Sequence, residues 1–504
     1  MKRNRKRKVK FIVLGISLLY SVSFYAQFPY FNSGQKAADF KVIAESRPGL
    51  VKFNQYGINL THHINEYAGV YLENLSFTPD KGFILEFEYA FDMGIMEEGK
   101  YGDGLTMVLF DANESNPSIG DRGGALGYAA TQRISGQNVA GFTKGIFGLG
   151  LDIFGNYKRI QQGKNEIRNG LTNLKDGDFI ALRGPYDPRN EFEGYPVLFA
   201  IGTKKNANLY LDTNTGEAIS KQKGFKGNRF SIRNNALVAK PGQKGYRKVQ
   251  IAFVPGIDDV SRRSGFFIFV DLINGTSKAS IIRNYFVPKS GTIKYQEQVK
   301  QGETSVAEVK NLAINIPNTM KMGFTASTGG AYVRTHVRNI SLSLPFCPKV
   351  QDIIIPDVIR SRPFVCQPLY SAFGYDTNVY KVLDPPSPST LFLDFASFRF
   401  KVFDESTKNY VVNSMPYQLV VPRVGEFNYN TNTGEVTFTA EAEFKGTSYT
   451  FYYDIKNKQP ITGVNIGAEE YRSTTASVTL NFTDEIPLYR NPPLLINKGV
   501  KKVK

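Results

Sequence analysis

Long helical runs are hard to find in this chain. Short runs of alternating apolar and polar residues replace them, broken by turns rich in Gly, Asn, Asp and Pro. That pattern predicts a mainly β protein. A length of 504 residues is too great for one ordinary core and predicts two to four domains. With 41% apolar and 21% charged residues the composition is that of a globular protein.

The first residues read as a targeting device. MKRNRKRKVK is a positive n-region, and FIVLGISLLYSVSFY is an apolar stretch of 15 residues. That is shorter than the roughly 20 that span a bilayer as a helix. Small residues before Gln27 resemble a cleavage site, so residues 1–26 are expected to be a signal peptide and the protein exported, secreted or at the cell surface. The formal net charge is +17, but seven basic residues lie in the first ten positions; without them it is +10. The folded body is only mildly basic and shows no basic stripe, which argues against a nucleic-acid partner. Cys347 and Cys366 are the two cysteines; in an oxidising compartment a disulfide between them would staple a linker, and the alternative is two unpaired thiols. Two cysteines are too few for a zinc site.

The domain division predicted from these runs places a first unit over 27–346 and a linker over 347–390, ending in the proline cluster LDPPSPST. A smaller antiparallel sandwich follows over 391–486. In it EFNYNTNTGEVTFTAEAEF reads as a hairpin turning at TNTG. A basic tail, 487–504, closes the chain.

The stretch GLGLDIFGNY, residues 148–157, holds candidate chemistry. Strand alternation puts Leu149, Leu151 and Ile153 on one face, toward a core, and Gly148, Gly150, Asp152, Phe154 and Asn156 on the other. Asp152 and Asn156 would lie about 13 Å apart in an extended chain. They share a ligand only if the chain bends, and Gly155 is where it can. A carboxylate and an amide oxygen brought together suit calcium or a sugar hydroxyl. The pair His62-His63 is read as two ordinary polar positions, because strand neighbours face opposite ways.

Other stretches join it in a fixed order: YGDGLTMVLFDAN around Asp103, IGDRGGALGYA around Gly123 and Gly124, ALRGPYDPRNEFEGYPVLFA, and MGFTASTGGAYVRTHVRNISLSL. In this order they resemble the L-type, legume-lectin-like family, most of all its bacterial surface members, over residues 45–345. The resemblance implies an all-β chain with a concanavalin-like jelly-roll sandwich first. It implies an aspartate after a cis, non-proline peptide bond that accepts sugar hydroxyls, which Asp103 matches. It implies a glycine N–H to the sugar, matched by Gly124 with Gly123 the near alternative, an aromatic matched by Phe154, and a sugar-touching, calcium-held asparagine matched by Asn156. Asp152 matches the calcium-binding aspartate. Further calcium ligands would come from Asn165, Glu166, Asp176 or Asp178. A manganese-type site is doubtful, since the expected Glu is Gly150. His336 is read as structural. The second sandwich loosely resembles bacterial Ig- or cadherin-like modules.

These implied roles are physically consistent. An ionised Asp accepts strong bonds from adjacent hydroxyls, an amide donates and accepts, and an aromatic ring covers a sugar's apolar face. The expected function is glycan or polysaccharide binding without catalysis, as in a lectin or adhesin that recognises cell-surface components. One alternative is a structural surface protein with a degenerate sugar site. The other is a glycoside hydrolase on the same fold. Hydrolysis needs two carboxyl groups, and the positions where a related hydrolase motif would keep them are Gly150 and Gly155. Glu97 and Glu98 read as part of a solvated loop.

Overall fold

Alternating strands account for nearly all regular structure. The computed structural model describes residues 31–33, 37–132, 137–158, 177–205, 208–219, 225–301, 304–345, 347–370, 372–374, 390–406, 409–458 and 471–484. The expected signal peptide, the proline cluster at 385–388 and the basic tail lie outside these residues. Among the described residues there is no α-helix, only short 3-10 turns, and no helix is long and apolar enough to cross a membrane.

The larger body is a sandwich of two eight-stranded sheets. The site sheet contains β1 (Phe40–Glu45), β2 (Tyr67–Leu72), β3 (Gly104–Asp111), β4 (Gly145–Asp152), β5 (Phe179–Arg183), β6 (Val197–Gly202), β7 (Asn208–Tyr210) and β8 (Met320–Ser327). Their order across the sheet is β7-β6-β5-β4-β3-β8-β2-β1, all antiparallel. The opposite sheet is built around Phe83–Ile95, Arg247–Ile257 and Tyr332–Ser343. Strands consecutive in sequence pair at the flanks, while β8 joins β3 and β2, and Tyr332–Ser343 joins Phe83–Ile95, across long stretches of sequence, as in a jelly roll. The protein is all-β, as the alternation predicts.

Aromatic rings lock the two sheets together. Phe324 of the site sheet meets Phe87 edge-on at 5.0 Å, and Phe147 lies 5.3 Å from Phe253. Leu149 and Leu151 follow Phe147 on the same inward face and are fully buried. Each such side chain contributes about 1.5–3 kcal/mol by leaving water.

The outward face of β4 carries glycines because a third layer lies on it. A Cβ at Gly148 would overlap Tyr128, and one at Gly150 would overlap the ring of Tyr157. Tyr157 donates its hydroxyl to the Gly148 carbonyl at 3.1 Å, and Tyr128 donates to Gly184 at 3.0 Å. The buried Arg183 guanidinium donates to the carbonyls of Tyr157 and Tyr195, so this layer is satisfied as well as filled.

A second, smaller sandwich has its own core, centred on Phe398, Phe400, Phe427, Phe438, Phe451 and Tyr453. Its sheets have five and four strands. Here the structure corrects the expected linker. Ile353–Ile359 is an edge strand of the five-stranded sheet, parallel to Ala476–Thr483, and Phe364–Cys366 belongs to the four-stranded sheet. The expected disulfide is also corrected. Both cysteines are free, Cys347 packing against the larger core and Cys366 lying within the smaller one.

Burial pushes both thiols up to about 12. At pH 8 the reactive thiolate is then on the order of 0.01% of each. Iodoacetamide is expected to leave both cysteines unmodified in the native protein. It is expected to alkylate both after denaturation without reductant, which mass spectrometry reads directly.

Candidate functional site

Strand β4 ends at Asp152, whose register partners are Gly104 of β3 and Phe179 of β5. The chain then turns. The N–H groups of Ile153 and Phe154 donate to the Asp103 carbonyl at 2.9 and 3.3 Å. Gly155 takes a φ of +100°, a conformation open to glycine, and the chain folds back on the carboxylate. Asp152 Oδ1 accepts the N–H of Gly155 at 2.7 Å and of Asn156 at 3.2 Å, and Oδ2 accepts that of Lys158 at 3.3 Å. The bend therefore brings Asn156 back to Asp152.

Asp103 stands beside this turn. Its peptide bond with Gly102 is cis, and its N–H donates to Ser327 at 3.1 Å. The side chain is 5% exposed, and Oδ2 is buried with no hydrogen-bond partner. Burial, then the charges of Asp152 and Glu97, push its pKa up to about 8. Gly329 flanks it closely, since a Cβ there would lie 3.5 Å from Oδ2.

The glycine loop closes the constellation. Gly123–Ala125 is a 3-10 turn, and Ser327 Oγ donates to the Gly123 carbonyl at 2.9 Å. A Cβ on Gly124 would stand 2.6 Å from that of Asn156, so these residues are in direct apposition. Phe154 is half-buried against Gly102. Asp103, Gly123, Gly124, Phe154, Asn156 and Asp152 thus lie together.

Not every expected residue joins them. Asp178 was a candidate calcium ligand, but its Oδ1 accepts from Ser231 Oγ at 2.7 Å and the Ile232 N–H at 2.8 Å, so it holds a different loop. Asn165, Glu166 and Asp176 lie outside the described residues. Asp152 Oδ1 accepts two of the turn's N–H groups and Oδ2 a third, and among the described residues no three His, Cys, Asp or Glu side chains gather as a metal site.

Sequence reasoning missed several neighbours. Lys100 places its ammonium 4.0 Å from the centroid of the Phe154 ring. Glu97 is exposed as expected, yet its carboxylate abuts Gly330. Lys158 is buried, with its ammonium 3.7 Å from the Phe179 ring centroid. A lysine two residues beyond Asn156 was the available signal. His62 and His63 sit in a turn. His62 bonds Arg47 at 2.7 Å, and His63 stacks on Tyr332 at 5.4 Å. The turn joins the Gly329 loop through the Asn65 N–H to the Gly329 carbonyl. His336 is buried, and burial holds it down near 4.

No family model matches the chain, and no curated protein matches its sequence. Similar folds occur among solved structures. One is the exoplasmic/lumenal domain of VIP36 in its Ca2+-bound form, at 10% identity, over 62% of this chain and 86% of that one, TM-score 0.30. Another is basic winged bean lectin with Tn-antigen, at 12% identity, over 63% and 99%, TM-score 0.32. A third is the metal-free carbohydrate recognition domain of Emp46p, at 10% identity, over 62% and 90%, TM-score 0.31. At these scores the likeness carries no weight beyond the geometry above.

Proposed function

We propose that this chain is an exported carbohydrate-binding protein, a lectin or adhesin that holds glycans of a cell surface or polysaccharide without cleaving them. The observation that carries the reading is Asp103 Oδ2, a buried acceptor with no donor, set among Gly124, Phe154 and Asn156. An unsatisfied buried carboxylate oxygen is costly, and a sugar hydroxyl is a donor of the right kind. Lacking a side chain, Gly329 leaves an approach to that oxygen. Asn156 offers an amide to a second hydroxyl, and the half-buried Phe154 an apolar surface.

Hydrolysis is disfavoured on steric grounds. The Gly150 position, where a hydrolase would keep an acid, has its outward space occupied by Tyr157. The presence of Lys100 over Phe154 favours the rival reading of a structural protein with a degenerate site. The second sandwich fits an Ig-like spacer, its parallel edge strand included. The basic leader and short apolar stretch support export.

A glycan array tests the reading, with Gly124→Ala as its internal control. The added methyl would push Asn156 aside, and retention is expected to fall about tenfold or more, the value of one or two polar contacts. Circular dichroism is expected to stay as in wild type. Absence of retention by wild type on any glycan, or full retention by the variant, contradicts the proposal.

A further inference from the structure

We propose that the glycan site continues beyond Asp103 along the rim of the site sheet, across Ser327 and Tyr67, to a second subsite. There Arg47 and Arg122 take an acidic sugar residue, one carrying a carboxylate or a sulfate. The inference rests on reading Asp103, Gly124, Phe154 and Asn156 as a sugar site, and it names the class of glycan that site selects.

The strand register lays out the path. Asp152 pairs with Gly104, Gly104 with Ser327, and Ser327 with Tyr67, so four strand ends stand in one row. The Ser46 N–H donates to the Tyr67 carbonyl at 2.8 Å and extends the row by one more segment. Directly opposed residues project from the same face. Tyr67 therefore faces the side that carries the Asp152 carboxylate and the Ser327 hydroxyl, which bonds the glycine loop at Gly123. Strands lie about 4.8 Å apart, which puts Tyr67 about 10 Å from Gly104, within reach of an oligosaccharide held at Asp103.

Two hollows open at this end of the row. One, of about 250 Å³, is lined by Tyr67 and by Ile119–Arg122, the segment that leads into the glycine loop. The other, of about 370 Å³, is lined by Ser46, Arg47 and the turn His62–Glu66. That turn touches the loop beside Asp103, because the Asn65 N–H donates to the Gly329 carbonyl at 3.0 Å.

Each hollow presents an arginine. Arg122 is exposed, and among the described residues its guanidinium has no hydrogen bond or ion pair. Arg47 is held in place: Nε and Nη2 donate to Glu66 Oε1 at 3.2 and 2.9 Å, and Nη2 donates to His62 Nε2 at 2.7 Å. Its side chain is still 55% exposed, and none of these bonds uses Nη1. The neighbouring carboxylates spend their oxygens on local donors. Glu66 is buried and takes the His62 and His63 N–H groups at 2.7 and 2.9 Å. Asp121 is buried and takes the Arg122 N–H at 2.9 Å and the Thr131 hydroxyl. Glu45 takes the N–H groups of Gly49 and Val51 at 2.7 and 3.2 Å. The guanidinium groups are thus what the two hollows offer a ligand, and a guanidinium fork matches paired anionic oxygens. Ser46 Oγ, buried without a hydrogen-bond partner, adds a hydroxyl in the larger hollow.

The test is an array of oligosaccharides printed in matched pairs, each with and without one sulfate, or ending in a hexuronate or the corresponding neutral hexose. Wild type, Arg122→Ala, Arg47→Gln and the double variant are compared on it. Wild type is expected to retain the acidic member of a pair about tenfold more than the neutral one, the value of one charge-assisted hydrogen bond. The kind of pair that shows the difference identifies the acidic group. Arg122→Ala is expected to lower the ratio on its own, and the double variant to bring it near one. Retention of the neutral member is expected to stay as in wild type, because Asp103 is untouched. If Arg47→Gln does not fold, Arg122→Ala decides. Equal retention of both members by wild type overturns the subsite, as does a ratio that survives the substitutions, or a folded variant that loses the neutral member alongside the acidic one. Wild type that retains no glycan at all fails the proposed function, and the subsite falls with it.

Discussion

Asp103→Ala is expected to abolish glycan retention and, at pH 9, to raise the melting temperature of the free protein. Both effects come from one buried carboxyl. Its folded-state pKa is about 8, against an unperturbed 3.8, because burial and the charges of Asp152 and Glu97 disfavour the ionised form. The folded state therefore binds this proton more tightly than the unfolded chain does. The sign follows from that: stability falls as pH rises from about 4 to 8 and levels off above, with a total on the order of a few kcal/mol. Removing the carboxyl removes that loss, so thermal melts of the variant from pH 5 to 9 should be flatter than wild type's. Glycan binding should run the opposite way. Hydroxyl donors favour the ionised carboxylate, so wild-type affinity is expected to rise up to about tenfold per pH unit between 6 and 8 and then to plateau. Titration calorimetry across that range reads it. A pH-independent affinity, or an Asp103→Ala protein that binds as wild type, removes Asp103 from the site.

Gly150→Glu, the substitution that puts a hydrolase-type acid back on β4, is expected to unfold the larger sandwich and to create no activity. A Cβ there already overlaps the Tyr157 ring, and the rest of the side chain would place a carboxylate among Tyr128, Tyr157 and Arg183. Overpacking and an added buried charge together cost on the order of 4 kcal/mol or more, a large part of a domain's stability. Chemical denaturation measures the loss. A variant as stable as wild type would mean that the tyrosine layer yields readily, and would reopen the enzymatic reading.

The tyrosine layer shows where the sequence was legible and where it was not. Alternation in GLGLDIFGNY placed Leu149 and Leu151 in the core, and the bend at Gly155 was readable from the residue itself. The gathering of Asp103, Gly124 and Asn156 was implied by the family resemblance that five stretches carry in order. The partners of Gly148 and Gly150 did not, because Tyr128 lies in a loop and nothing local says where its ring lands. Asp178, one of four open ligand candidates, could not be placed for a similar reason. Its backbone lies beside the turn, with its N–H donating to the Ile153 carbonyl, while its carboxyl reaches the other way to Ser231. The strand at 353–359 was hidden by Pro356. Proline is tolerated there because this is a sheet edge, with an irregular register between Ile355 and Val358. The expected disulfide failed because cysteines 19 positions apart serve two different cores.

A crystal structure of the protein with a glycan taken from the array tests the central claim most directly. The expected result is a pair of adjacent sugar hydroxyls on the Asp103 carboxylate, one of them on Oδ2 at about 2.5–2.7 Å. Asn156 and the Gly124 N–H should touch the same sugar, with Phe154 beside its apolar face. A glycan seated elsewhere, for example at the Arg47–His62–His63 turn or on the second sandwich, with Asp103 Oδ2 still without a donor, would contradict the account.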